Sequence, residues 1–159
     1  MTKLAMVVLA WMVHLQNPND KALKDIMTPS WAASYVDTAQ EIADAAERDP
    51  LDRDARATAA LLTITAYQES RFDRDPCARQ KRYDCDGGVS RGVFQLWRGW
   101  GEPTAENALR VMHKSFEICA KKQFDERLAW YAAGKLGCEN RVELSRYRMH
   151  QAKRLASAP

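Results

Sequence analysis

The chain has 159 residues, 46% hydrophobic and 28% charged, and carries a net charge of +3. That length allows one domain with a real core, and an ordinary composition with only seven Gly and six Pro excludes a collagenous, disordered or low-complexity chain. The mild basic excess suits an acidic polymer, but no run of Lys or Arg is dense enough to make nucleic acid an expected partner. Ala, Leu, Arg, Glu and Lys are abundant, so the fold class expected is mainly α.

Lys3 precedes an apolar stretch from Leu4 to Leu15, broken only by His14. Its length suits the hydrophobic region of a signal peptide and is short for a bilayer span. No small-residue cleavage site follows closely, so a first helix packed on the domain is an equal alternative. Membrane contact is expected only if residues 4–15 are an anchor. Asn17 to Ser30, with Pro18 and Pro29, reads as a loop or linker. The division expected is therefore 1–30 as an apolar segment plus linker, and 31–159 as the domain.

A helix follows from about Ser34 to Glu47, with Val36, Ala39, Ile42, Ala43 and Ala46 on one stripe. Asp49-Pro50 stops it. Asp52 to Asp54 favour the start of the next helix, which runs from Ala55 to about Ser70. Ala59, Ala60, Leu61, Leu62, Ile64 and Ala66 make it apolar on nearly every side, as a helix in the centre of a core must be. Phe72 to Gly101 is a long irregular segment, of a length often functional in compact domains, in which 93–97 predicts a strand or hairpin arm. Helices resume from Pro103 to Cys119 and from Phe124 to Ala133, with Gly134 as a C-cap. Asn140 is a candidate cap for a last helix reaching about Leu155, Arg-rich and mostly solvated.

The four cysteines, Cys77, Cys85, Cys119 and Cys138, form no C-x-x-C pair and are not clustered with His14, His113 or His150. No metal site is expected. Three disulfide pairings are possible. The local one, Cys77–Cys85 with Cys119–Cys138, closes two modest loops and is preferred; it implies an oxidising compartment. Four reduced, partly buried thiols are the alternative.

Glu69 lies at the C-terminal end of the apolar helix. Desolvation and the negative end of the helix dipole both disfavour a charged carboxyl there. A neutral carboxylic acid is what protonates a glycosidic oxygen, a poor leaving group until it is protonated. The plain alternative is a helix-end ion pair with Arg71, Arg74 or Arg91.

The neighbours of Glu69 decide between these. Glu69-Ser70-Arg71-Phe72 resembles the Glu-Ser-x-Phe signature of SLT-type lytic transglycosylases in the lysozyme superfamily. The run Ser90-Arg91-Gly92-Val93-Phe94-Gln95 resembles that family's Ala-x-Gly-Leu-Met-Gln stretch, and Trp130-Tyr131-Ala132-Ala133-Gly134 resembles its Ala-Tyr-Asn-Ala-Gly. The motifs stand in the family's order and span most of the chain, from about Ser34 to Gly137.

The resemblance implies a lysozyme-like helical domain, with a central buried helix and a small loop or β-hairpin region beside a cleft. It implies Glu69 as the catalytic acid, Gln95, Ser70 and Ser90 as cleft residues near the substrate, and Tyr131 with its hydroxyl near the acid. The family's Asn is here Ala132. Where the family often carries a Ser upstream of its Gln, this chain has Asp86, which resembles the second carboxylate of goose-type lysozymes; a turn at Asp86-Gly87 is the alternative.

The implied reaction is cleavage of the β-1,4 bond between N-acetylmuramic acid and N-acetylglucosamine in peptidoglycan, giving 1,6-anhydro products. Water positioned by Asp86 would instead give hydrolysis, at a carboxyl separation of roughly 6.5–9.5 Å. A catalytically silent peptidoglycan-binding protein is the alternative from another class. A helical interaction module is a third, favoured if no groove is lined by Glu69, Gln95 and Tyr131. Trp97 and Trp100 are candidate sugar-stacking faces, whereas Trp130 and Phe94 read as core. Arg79, Lys81 and Arg82 read as a solvated loop that could steer anionic glycan. The partners expected are glycan strands, with a monomeric, exported protein and no cofactor.

Overall fold

The computed structural model describes residues 1–16, 29–72 and 90–158. The described residues form six α-helices: α1 (Lys3–Leu15), α2 (Pro29–Arg48), α3 (Ala55–Ser70), α4 (Ala105–Ile118), α5 (Ala129–Ala133) and α6 (Val142–Ala156). A two-stranded antiparallel hairpin, β1 (Ser90–Arg91) and β2 (Leu96–Trp97), pairs Ser90 with Trp97 and Arg91 with Leu96. The fold class is mainly α, as the composition predicts.

α3 is the central element. Asp54 caps it by accepting from the Ala57 N–H at 2.9 Å, and every residue from Thr58 to Ala66 is buried. It packs against α1, α2 and α6. The apolar segment that begins at Leu4 forms α1, with Ala5, Val8, Trp11 and Met12 in the common core and the Arg56 guanidinium over the Trp11 ring. No helix among the described residues is long and apolar enough to cross a membrane.

α2 starts before the expected Ser34, and its stripe is as expected except at its first position, where Tyr35 and not Val36 faces inward. Tyr35 and Thr38 are buried with Ala39, Ile42, Ala43 and Ala46, while Val36 is 40% exposed. The larger Tyr35 ring takes the inward place and packs edge-on against Phe72.

The helix expected from Phe124 to Ala133 is broken into a 3-10 turn, Phe124–Glu126, and the short α5. Two buried serines account for the break, because they compete for its backbone groups. Ser115 Oγ donates to the Arg127 carbonyl at 2.7 Å and accepts from the Tyr131 N–H at 3.0 Å. Ser145 Oγ donates to the Asp125 carbonyl and accepts from the Leu128 N–H. Gly134 does end α5, at φ 56°. Arg141, rather than Asn140, occupies the N-cap of α6.

The Cys119–Cys138 disulfide is present and ties the end of α4 to the loop before α6. Cys77 and Cys85 lie outside the described residues.

Candidate functional site

The C-terminal end of α3 is turned by two successive left-handed residues, Arg71 at φ 56° and Phe72 at φ 62°. Non-glycine residues adopt this conformation only when their surroundings hold them. Here Phe72 is buried between Tyr35 and Tyr67, and Gln16 of the segment after α1 donates to the Arg71 carbonyl at 2.9 Å. The helix end that carries Glu69 and Ser70 is thereby fixed from two sides.

Ser70 is buried, and its hydroxyl lies 2.7 Å from the Val93 carbonyl and 3.1 Å from that of Ala66. The bond to Val93 joins the end of α3 to the hairpin turn. That turn spans Gly92 to Gln95, so the strand arm expected over 93–97 is mostly turn, with only Leu96 and Trp97 paired. Gly92 has φ +69°, and a Cβ there would meet Pro103, so the position needs glycine. Gln95 is itself left-handed at φ 46°, and its Nε2 donates back to the Gly92 carbonyl at 2.8 Å. Phe94 is core.

Tyr131, on α5, is buried and donates from its hydroxyl to the Phe94 carbonyl at 3.3 Å. Burial pushes this phenol far above the usual range; the nearby Glu69 charge adds to the shift and Arg148 opposes it. Tyr131 is therefore a neutral hydroxyl at any working pH, a donor and never a base.

Glu69 is 26% exposed along its side chain and ion-paired through Oε1 with Nη2 of Arg148. This differs from the dry, unpaired carboxyl expected from the sequence, and the partner is neither Arg71 nor Arg91. Arg71 is exposed and stacks on Tyr67, and Arg91 is exposed in β1. Arg74 lies outside the described residues. Arg148 is 3% exposed and also donates from Nε to Oε1 of Gln68 at 2.8 Å.

Three tryptophans, Trp97, Trp100 and Trp130, cluster next to Tyr131. Trp130, half-buried against the core, stacks on Trp100 with centroids 5.5 Å apart at 27°. Trp97, 43% exposed, meets Trp100 edge-on, and Trp100 also leans on Tyr131.

A cavity of about 370 Å³ borders Trp100 and Trp130 on their α4 side, and a larger one of about 680 Å³ lies between the start of α3, the 3-10 turn at Phe124 and the end of α6. Neither is lined by Glu69, Gln95 or Tyr131. Asp86, the candidate second carboxylate, and Arg79, Lys81 and Arg82 lie outside the described residues. Among the described residues no group of His, Cys, Asp and Glu could hold a metal ion.

Ser70, next to Glu69, and Tyr131 are thus both bonded to the hairpin turn that carries Gln95, while Ser90 stands in the hairpin opposite Trp97. The residue that sequence reasoning missed is Arg148. One signal for it exists: it falls on the same helical stripe as Ser145, Ala152 and Leu155, all buried. Compared with family models, characterised proteins and solved structures, the chain matches none.

Proposed function

We propose that the chain cleaves the β-1,4 bond between N-acetylmuramic acid and N-acetylglucosamine in peptidoglycan. Glu69 is the general acid and then the general base, and the products carry 1,6-anhydro ends. One observation carries the reading. Three motif segments far apart in the chain converge on the end of α3, through Ser70 to Val93 and Tyr131 to Phe94.

The chemistry follows from the arrangement. Glu69 gives a proton to the glycosidic oxygen as the C1–O bond breaks. The carboxylate left behind takes the proton of the sugar's C6 hydroxyl, which closes on C1. Tyr131, always neutral, fixes the hairpin carbonyl beside the acid. The exposed edge of Trp97 is a face on which a sugar ring can stack. Lysozyme-type hydrolysis is the variant in which Asp86 positions water. The Cys119–Cys138 disulfide is compatible with an oxidising, exported location, and the chain is taken to act there as a monomer on glycan strands.

A second reading, a silent glycan binder on the same frame, is favoured by the Arg148 pair, which occupies one oxygen of the proposed acid. Product analysis separates the two. Purified peptidoglycan incubated with the protein is expected to release soluble muropeptides with anhydro ends by mass spectrometry. Reducing ends would mean hydrolysis, and binding without fragments would mean the silent binder. Glu69→Gln is expected to lower the rate at least 100-fold; an undiminished rate would reject the acid.

A further inference from the structure

Arg148 is the one buried cation of α6; Lys153 and Arg154 are exposed and Arg146 is partly so. Burying a guanidinium costs several kcal/mol unless its donors are met. Two of its three nitrogens are met, by adjacent side chains of α3: Nε by Gln68 and Nη2 by Glu69. Nη1 is buried and has no acceptor among the described residues.

As a device for stability this is a poor one. A buried ion pair is often no better than an apolar pair of the same volume, and an unmet donor adds to its cost. A packed Leu or Met on that stripe would hold α3 and α6 together as well. The arrangement makes sense through what it does to Glu69. It ties Oε1 and leaves Oε2 with no protein partner among the described residues, on a side chain that keeps a quarter of its surface open.

We propose that Arg148 is the positioning residue of Glu69, an inference that rests on the glycosidase reading above. Gln68 anchors the guanidinium, and Arg148 in turn holds the carboxyl in one rotamer, so that Oε2 is the oxygen that delivers and later recovers the proton. No oxidant or further reactant enters. The proton leaves Oε2 for the glycosidic oxygen, the electron pair of the C1–O bond goes with that oxygen, and the C6 hydroxyl returns a proton to Oε2.

The test uses the full chain and purified peptidoglycan sacculi, with kcat and KM measured alongside thermal melting and sedimentation of the protein with sacculi. Arg148→Met, measured well below its melting temperature, is expected to lower kcat at least 100-fold while KM and sedimentation stay within threefold. Arg148→Lys is expected to recover at least tenfold of that loss. A role in stability alone would move the melting curve and leave kcat of the folded fraction within threefold of the parent; that outcome overturns the inference and leaves the glycosidase reading standing. If Arg148→Met does not fold, Gln68→Leu decides. It removes the second anchor of the guanidinium, and a kcat lowered about tenfold supports the inference, whereas an unchanged kcat overturns it. A parent protein that binds sacculi and releases no fragments overturns both readings together.

Discussion

Replacing Cys119 and Cys138 together by Ala tests how the segment bearing Tyr131 is held. The bond spans a sequence separation of 19, and closing a loop of that size restricts the unfolded chain by about 3 kcal/mol. Cys119 is also buried, so truncating it forfeits packing worth about 1 kcal/mol. The sum, about 4 kcal/mol, corresponds to a fall in Tm of roughly 8–15 °C for a chain of this length. Circular dichroism melts of the parent and the double variant, both without reductant, measure it. The substitution leaves Cys77 and Cys85 untouched, so the shift reports this bond and the packing of its two side chains. A melting temperature within 2 °C of the parent would refute the loop-closure argument.

Ser70→Ala leaves the buried Val93 carbonyl without its donor and is expected to cost about 1–3 kcal/mol in urea unfolding; a change under 0.5 kcal/mol would show that the hairpin turn does not depend on it. Trp11→Ala removes a buried ring of α1 and is expected to cost about 3–5 kcal/mol by the same method, whereas a neutral result would detach α1 from the cooperative core. Tyr131 yields a pH signature. Its folded pKa is raised, so its contribution is fully present below the unfolded value near 10 and is lost as pH rises above it, at about 1.4 kcal/mol per pH unit. The stability of Tyr131→Phe should therefore fall less steeply than the parent's above pH 10; parallel slopes would contradict a buried phenol.

The legible parts of this fold are those where a local signal and the tertiary environment agree. α3 was readable from end to end because its cap, Asp54, and its all-round apolar surface point the same way. The Cys119–Cys138 pairing followed from proximity in the chain. The segment 124–133 departs from its helical pattern because that pattern is overridden by Ser115 and Ser145, whose hydroxyls reach it from other helices. The hairpin was half legible. Its apolar residues look like a strand, but Val93 and Phe94 are buried by the turn itself, and a left-handed Gln95 has no sequence signature.

The counter-ion of Glu69 was hidden for a different reason. A cation in a charged helix reads as surface, and only its phase relative to Ala152 and Leu155 marks it as inward-facing. The three motif segments can therefore be intact in a sequence while the electrostatic setting of Glu69 is decided elsewhere, by a helix that carries none of them. α6 reaches Glu69 because it packs along α3, and it is held in phase by Ser145, which also shapes the backbone leading to Tyr131. Ser145 thus ties the helix that carries the arginine paired with Glu69 to the backbone leading into α5. The site is a property of how α3, α5 and α6 pack, more than of any one stretch of chain.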